Sequence, residues 1–241
     1  MSQVKLGDKN IPFIYQGSEL LYPNPIKDGL ILYYDFKGMS NTSSTKGNAK
    51  DISGKRNDGT LRNFVYTNQS GYDNGLKFDN IDDEIGVNVD LKHSFTISHT
   101  VDMDFTNPVQ FFNAFSLNGF YLRRNYNALH CSVYTDKNIS STSGGNVFFG
   151  NLENENKTKA VVTMVVNGFD KTVTLYGNGE KLATTDTVIP IADVKLTKLG
   201  RWNSGSSNFT GKLLSTQVYN HALTDQEIQY NYDIEKERWG L

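Results

Sequence analysis

The chain has 241 residues, with 24 lysines and arginines against 26 aspartates and glutamates, and a formal net charge of −2. This near-neutral balance, without a basic run, argues against nucleic acid as a partner, and the short apolar runs argue against a membrane span. Glycine, asparagine, serine and threonine supply more than a third of the residues, and aromatic side chains supply 12%. Many turn formers together with many aromatic residues predict short strands joined by loops, and argue against a helical bundle or a disordered chain.

The segment 1–28 differs from the rest and is predicted to form an extended N-terminal arm. Short apolar, β-like pieces alternate there with glycine-containing turns, and then Pro23 and Pro25 bias the chain towards extended geometry. We therefore divide the chain into an arm or assembly segment, 1–28, and a domain, 29–241. No continuous apolar stretch follows Met1, so we expect no signal peptide.

The rest of the chain reads as one strand after another, without an intervening helical pattern. Leu76 and Phe78 alternate with Lys77, and hairpin turns are predicted at 167–170 and 177–179. This spacing indicates an antiparallel sandwich or jelly roll. Strands are predicted at 30–36, 75–78, 95–98, 109–117, 119–124, 128–135, 146–150, 159–167, 171–177 and 194–200, with a turn that runs into a strand at 57–61. The longest loops are predicted at 37–50, 136–146 and 203–208.

One helix is predicted near the C-terminus, over Asp225–Arg238. Thr224 is a good N-cap and Glu227 stands three residues later, which makes a capping box. We expect Ile228 and Tyr232 to dock this helix on the sandwich. The charge run 235–238 is interpreted as a solvated tail.

Seven short motifs follow one another between positions 29 and 235. They are Gly29–Phe36, Asp51–Gly54 with Asn57–Leu61, Gly75–Asp79 with Asp82–Ile85, Phe95–Ser98, Leu175–Gly179, Leu199–Arg201, and Phe209–Leu213 with Val218–Ile228. In this order they resemble the concanavalin A-like lectin/glucanase superfamily, in its laminin-G-like jelly-roll branch. The resemblance implies an all-β, antiparallel two-sheet jelly-roll sandwich with a short C-terminal helix. The chain departs from the family pattern at His99-Thr100, where a tryptophan often stands.

The arm carries a second resemblance. Val4–Lys9, Ile14–Ser18 and Tyr22-Pro23 look like the opening of tail and other structural proteins of bacteriophages that infect Gram-positive bacteria. The resemblance implies a virion protein, made in the host cytoplasm, that contacts other virion proteins through its arm. A homo-oligomer is expected for such a role.

Two candidate glycan-binding surfaces follow from the residue types. Trp202 stands between Arg201 and Asn203 in a loop-like stretch, and aromatic faces with planar hydrogen-bonding groups suit sugars. The alternative is that Trp202 covers the sandwich edge. For glycan binding we expect no cofactor, apart from a structural calcium ion.

The second candidate is a sheet face. Strand alternation places Tyr121 and Arg123 on one side of 119–124, and His130, Ser132 and Tyr134 on one side of 128–134. If the two strands are neighbours, a polar-aromatic surface results, and Arg123-Arg124 would suit an anionic polymer. The alternative is an ordinary amphipathic sheet surface.

Carboxylates near one hairpin suggest a calcium site. Asp79, Asp82 and Asp83 are the proposed ligands, and Asp73 and Glu84 lie close in sequence. Hard oxygen ligands converging from a loop suit Ca²⁺. The alternative is solvated turn carboxylates that accept backbone N–H groups.

Catalysis is the weakest interpretation. The enzymes of the resembled superfamily place Glu-x-Asp-x-Glu along one strand, and this run is absent here, with Asp102-Met103-Asp104 the nearest approach. We therefore predict a non-enzymatic bacteriophage tail, baseplate or fibre protein whose lectin-like domain binds host cell-surface glycan. Two alternatives stay open: a purely structural or decoration protein of the virion, and a glycan hydrolase that uses Asp102 and Asp104.

Overall fold

The computed structural model describes almost the whole body of the chain and parts of the segment before Pro25. The described residues are 5–6, 9–10, 14–16, 19–22, 25–42, 44, 46–116, 121–134, 139–144, 148–187, 191–202 and 208–241. The strands are β1 (Lys5–Leu6), β2 (Lys9–Asn10), β3 (Ile14–Gln16), β4 (Glu19–Tyr22), β5 (Leu30–Asp35), β6 (Asn48–Ala49), β7 (Gly59–Arg62), β8 (Gly71–Tyr72), β9 (Leu76–Asp79), β10 (Glu84–Leu91), β11 (Phe95–Met103), β12 (Val109–Phe115), β13 (Tyr121–Asn125), β14 (Ala128–Tyr134), β15 (Ile139–Gly144), β16 (Lys159–Asn167), β17 (Thr172–Gly177), β18 (Glu180–Asp186), β19 (Val194–Leu199) and β20 (Thr210–Tyr219). The helices are α1 (Phe148–Asn154) and α2 (Asp225–Trp239).

Two large antiparallel sheets make up the body. Sheet 1 has the strand order β15-β14-β13-β12-β19-β10-β7-β6. Sheet 2 has the order β18-β17-β16-β11-β20-β9-β8, with β5 also paired to β20. The predicted fold class, an all-β two-sheet sandwich of jelly-roll type with a C-terminal helix, is confirmed.

The core lies between the two sheets, because each strand turns alternate side chains inward. Phe95 and Ile97 of β11 are fully buried from the sheet 2 side, and Leu122 and Cys131 are fully buried from the sheet 1 side. His99 is also fully buried, where its ring nitrogens lie 3.0 Å from Thr216 Oγ1 and 3.3 Å from Asn113 Oδ1. These two contacts give both ring nitrogens of His99 a hydrogen-bond partner, at the position where the family often has tryptophan.

Helix α2 covers the outer face of sheet 2. Leu223 and Ile228 pack with Val165, Tyr176 and Tyr219 in a second apolar cluster on that side. Strand β16 is therefore buried on both faces, which explains its nearly unbroken apolar sequence. The outer face of sheet 1 has no such cover from α2.

The helix prediction is confirmed, with α2 running to Trp239. The Thr224 side chain accepts from the Glu227 N–H, and the Glu227 side chain accepts from the Thr224 N–H, so both halves of the capping box are present. Gly240 ends the helix in the left-handed region at φ 64°, a conformation that glycine adopts without a Cβ penalty.

The interpretation of the charge run after Tyr232 as a solvated tail is wrong. Glu235 and Arg238 are buried, whereas Lys236 and Glu237 are exposed. The Glu235 carboxylate accepts from Ser215 at 2.6 Å and from Thr100 at 2.7 Å. Helical periodicity turns residues three apart to one face, so half of the run lies against sheet 2.

Two local predictions are also wrong. Residues 148–150 of the predicted strand 146–150 are helical, because α1 begins at Phe148 and buries Phe149 and Leu152 on one side, and residues 146–147 lie outside the described residues. The predicted loop 136–146 contains β15, which pairs with β14 along six residue pairs. Ladder hydrogen bonds supplied by β14 stabilise this serine-rich strand despite its weak intrinsic preference.

The described parts of segment 1–28 form two small pairs, β1 with β2 and β3 with β4. Within the described residues, none of these four strands joins sheet 1 or sheet 2. The Ile26 N–H donates to Asn231 Oδ1 at 2.9 Å, so contact with α2 is made as early as Ile26. The division into 1–28 and 29–241 stays a prediction. Among the described residues, neither helix has the length and apolarity needed to cross a bilayer.

Candidate functional site

Side chains from three neighbouring strands, and one that follows a fourth strand, meet on the outer face of sheet 1. Tyr121 and Arg123 lie on β13, His130 lies opposite Arg123 on β14, and Trp202 follows β19. On the other side of β13, Phe111 of β12 lies opposite Arg123. We call these five residues the aromatic–arginine cluster: Phe111, Tyr121, Arg123, His130 and Trp202.

Alternation along β13 explains why the cluster faces outward. Leu122 is fully buried in the core, while Tyr121 and Arg123 on either side of it are only partly buried. On the next strand, β14, Cys131 is likewise fully buried in the core, while its neighbour His130 is only partly buried. Strands β13 and β14 are neighbours, as the sheet-face hypothesis requires, and their pairing brings the two predicted groups together.

The rings of the cluster form a corner. The Trp202 ring stacks on Phe111, with centroids 4.9 Å apart and an interplanar angle of 20°. The Tyr121 ring meets Trp202 edge to face at 5.0 Å and 89°, and it stacks on His130 at 5.7 Å and 24°. Phe111 is almost fully buried beneath, while Trp202 and Tyr121 are partly exposed. Two perpendicular ring planes of this kind offer apolar surface to a ligand from two directions.

Arg123 supplies the charge at this corner. Its guanidinium carbon lies 5.0 Å from the Tyr121 ring centroid and 5.4 Å from that of Phe111, within the range of cation–π attraction. Arg123 Nε and His130 Nδ1 have no hydrogen-bond partner among the described residues. Burial, with a smaller contribution from the positive charge of Arg123, lowers the pKa of His130 to about 4. His130 is therefore neutral near pH 7, and the cluster carries the single charge of Arg123.

The remaining predicted residues differ in placement. Arg201 turns towards the loop after β9, where its Nη1 donates to the Asp82 carbonyl oxygen at 3.1 Å. Arg124 does not contribute to the surface, contrary to the expectation for Arg123-Arg124, because it is buried and donates to the Tyr126 carbonyl oxygen at 2.8 Å. Asn203 lies outside the described residues, as does the side chain of Tyr134.

Phe111 is the member of the cluster that the sequence analysis missed. It lies within a predicted strand, beside Phe112, and adjacent residues of a strand face opposite sides. Phe112 belongs to the core, so Phe111 has to face outward. The sequence signal that could have identified Phe111 was the pair of consecutive phenylalanines in a strand that has one face against the core.

The three predicted calcium ligands converge at the end of β9 and in the loop that joins it to β10. Asp79, Asp82 and Asp83 each place a carboxylate oxygen within 4.8 Å of the others. Asp83 accepts from the Asp79 N–H at 3.0 Å and from the Ser70 hydroxyl at 3.4 Å, and burial raises its pKa to about 7. Three converging carboxylate oxygens fit part of a Ca²⁺ shell, and calcium binding stays a prediction.

The two other carboxylates near this loop are paired with cations. Asp73 lies 2.8 Å from Lys212, and Glu84 lies 2.8 Å from Arg62. Neither one joins the converging group of three.

A comparison with known families fits the fold and the motif order. The sequence model described as the concanavalin A-like lectin/glucanases superfamily matches residues 70–229, which is more than half of the chain. The chain belongs to this superfamily. No curated protein matches it.

Solved structures with the same fold include two kinds of domain. The CBM40 module of the Ruminococcus gnavus IT-sialidase, bound to α2,3-sialyllactose, is 18% identical over 65% of this chain and 95% of its own, with a TM-score of 0.50. The botulinum neurotoxin serotype D ligand-binding domain, in complex with N-acetylneuraminic acid, is 16% identical over 86% of this chain, with a TM-score of 0.63. This superfamily member spans about half of that toxin chain, 51%. At such low sequence identities, the structural similarity shows a shared fold and nothing more.

The candidate catalytic pair of this superfamily member lies at the end of β11. Asp102 is half-buried, and Asp104 is exposed just beyond the strand. The Asp104 carboxylate accepts from the Thr106 N–H at 2.9 Å, as a turn residue commonly does. The two side chains are separate from the aromatic–arginine cluster, since β11 belongs to sheet 2.

A concave region elsewhere on the chain is also separate from the cluster. It is an open groove of about 810 Å³ between α1 and α2. Its lining includes Lys157, Tyr232 and Lys236, and none of the predicted site residues.

Proposed function

We propose that this superfamily member binds glycan, without catalysis, through the aromatic–arginine cluster on the outer face of sheet 1. The observation that carries the proposal is the meeting of Tyr121, Arg123, His130 and Trp202 at one exposed corner, with Phe111 beneath them. Sugar rings stack their C–H faces on aromatic rings, and an arginine donates to hydroxyl or carboxylate oxygens.

An acidic sugar suits this corner. Arg123 is its one charged group, and a charge-assisted hydrogen bond to a carboxylate or phosphate is roughly twice as strong as a neutral one. The two solved neighbours described above were both observed with sialic acid-containing ligands, which are acidic. Their likeness supports a lectin-like role, and the choice of glycan rests on the side chains of this chain.

We place this activity in a bacteriophage particle, at the tail, baseplate or fibre, where it would bring the virion to a host cell-surface glycan. The phage-like motifs in segment 1–28 support this context, and the arm would contact other virion proteins there. Deleting residues 1–28 tests the arm. Loss of incorporation into the particle is expected, and incorporation of the truncated chain would contradict the anchoring role.

Binding to Gram-positive cell walls, before and after the anionic wall glycans are removed, tests the glycan proposal. Binding should fall on removal, and Trp202→Ala should weaken it about 30-fold, since a central aromatic anchor contributes about 2 kcal/mol or more. Arg123→Gln should also weaken binding, whereas the matched variant Arg56→Gln, at an exposed arginine on another loop, should not.

Two other results would each favour an alternative function. Folded protein that binds neither wall preparation would favour a purely structural role in the virion. Release of sugar from the wall, abolished by Asp102→Asn with Asp104→Asn, would favour a hydrolase.

A further inference from the structure

A second group of charged side chains lies on the same outer face of sheet 1. Glu84 of β10 is buried, and three cations surround its carboxylate. Arg62 lies 2.8 Å away, Lys198 lies 3.2 Å away, and Arg201 lies 3.8 Å away. Of the three cations, only Arg201 was predicted from the sequence as a site residue, because Arg62 and Lys198 carry no local signal that links them to it.

The backbone makes room for this arrangement at Gly86. A Cβ at that position would lie 2.9 Å from the Arg62 guanidinium carbon. Gly86 is paired with Lys198 on one side and with Thr60 on the other. The guanidinium of Arg62 therefore lies over a side chain-free position in the middle of the sheet.

The cations exceed the charge that they neutralise. Arg62, Lys198 and Arg201 all lie within 3.8 Å of the one Glu84 carboxylate. That carboxylate can cancel only one of the three positive charges. Arg62 remains more than half exposed, with 55% of its side chain accessible, so it can reach a ligand.

Other carboxylates of this face lie towards its ends. Asp90 pairs with Lys195 at 3.1 Å, at the far end of β10. Asp82 belongs to the loop beyond Arg201, and Asp79 is the last residue of β9 in sheet 2. Among the described residues between these ends, Glu84 is the carboxylate that faces the three cations.

The register connects this group to the aromatic–arginine cluster. Lys198 pairs with Ala114 of β12, and Ala114 pairs with Tyr121 of β13. Neighbouring strands lie about 4.8 Å apart, so Lys198 and Tyr121 are roughly 10 Å apart across the sheet. Arg62 and Arg123 are four strand positions apart, or about 19 Å by the same spacing.

We propose that Arg62, Lys198 and Arg201 form a second subsite, for anionic groups, on the surface that carries the aromatic–arginine cluster. The ligand of this face is then an extended glycan that bears carboxylate or phosphate groups on more than one sugar, and not a single terminal acidic sugar. This inference rests on the proposed glycan binding, and its test separates the two.

The test measures binding of the full chain to two matched pairs of polymers. Polygalacturonate against its methyl ester tests carboxylate, and phosphodextran against dextran tests phosphate. At least one charged polymer should bind ten or more times more tightly than its uncharged partner and than its monomer, with affinity that falls as salt rises. The double variant Arg62→Gln with Lys198→Gln should lose at least tenfold of this binding.

Two controls accompany that variant. Lys171→Gln with Lys236→Gln removes the same charge from exposed positions on the sheet 2 side, and should lose less than twofold. Arg62→Lys with Lys198→Arg keeps the charges and should retain most of the binding. Thermal melting of each variant checks that it is folded.

Equal losses in the two glutamine doubles, or no preference for either charged polymer, would overturn the inference. Trp202→Ala separates this result from the proposed function. If Trp202→Ala abolishes polymer binding while the Arg62 and Lys198 double does not, the aromatic corner binds glycan and the second subsite is wrong. If only the double has an effect, the subsite stands and the aromatic corner is not the glycan site.

Discussion

Replacing Glu235 with alanine should lower the free energy of unfolding by about 3–5 kcal/mol, the usual cost of removing one partner of a buried charged network. The Glu235 carboxylate accepts from Ser215 at 2.6 Å, from Thr100 at 2.7 Å and from the Trp239 indole N–H at 3.0 Å. Each buried donor left unpaired costs about 1–3 kcal/mol, and Ser215 recovers part of this through its 2.9 Å contact with Thr100. For a domain of this size the melting temperature should fall by roughly 6–20 °C.

Urea unfolding followed by tryptophan fluorescence measures this change, because Trp239 itself contacts Glu235. Glu237→Ala is the matched control, since Glu237 is exposed on the same helix, and it should change stability by about 0.5 kcal/mol or less. Glu235→Gln keeps an acceptor oxygen and should fall between the two. If Glu235→Ala and Glu237→Ala unfold at the same urea concentration, the buried network does not hold α2 on sheet 2.

Three further predictions concern pH and capping. Burial lowers the pKa of His99 to about 4, so this ring binds fewer protons in the folded state than in the unfolded state. The contribution of His99 to stability should therefore be complete above about pH 6.5 and be lost as pH falls towards 4. Melting curves across that range should show a smaller acid-dependent loss in His99→Gln than in the parent chain. Burial raises the pKa of Asp83 to about 7, so the contribution of Asp83 to stability should be present below about pH 4 and be lost as pH rises through 7. Asp83→Asn should therefore be more stable than the parent chain at pH 8. Calcium that stabilises the parent chain at pH 8, but not Asp83→Asn, would support the calcium site. Thr224→Ala should cost about 1 kcal/mol through loss of the capping box, and an unchanged urea midpoint would contradict a role for that cap.

Local patterns predicted β5, β9, β12, β13, β14, β16, β17, β19 and α2, whereas β10, β18 and β20 were not among the predicted strands. The capping box identified α2 to within one residue of its end, because Thr224 and Glu227 interact within one turn. Alternation of Leu76 and Phe78 with Lys77 identified β9, because a sheet with one buried face imposes that period on its own sequence. The order of the motifs identified the superfamily, since these turns and strands occur in the sequence in the order in which the fold uses them.

Errors arose where a partner distant in sequence sets the structure. The serine-rich β15 is a strand because β14 supplies its hydrogen bonds, and nothing in residues 136–146 records that neighbour. Phe148 and Phe149 have high strand preference, yet α1 buries Phe149 in the core. In both places tertiary contacts outweigh an intrinsic preference of less than about 1 kcal/mol per residue.

The candidate site divides in the same way. Residue type and alternation were sufficient to propose Trp202, Tyr121, Arg123 and His130, because those signals are local. Their meeting at one corner depends on the strand order β14-β13-β12-β19, which brings Trp202 beside residues that are far from it in sequence.

The same dependence explains the residues that were missed or misread. Arg62 and Lys198 share Glu84 because β7 and β19 flank β10, and Arg238 is buried because α2 lies on sheet 2. Side-chain chemistry and local periodicity are properties of short segments, so they can be read from the chain. Which charges meet, and which surface stays open, depends on long-range packing of the two sheets and α2.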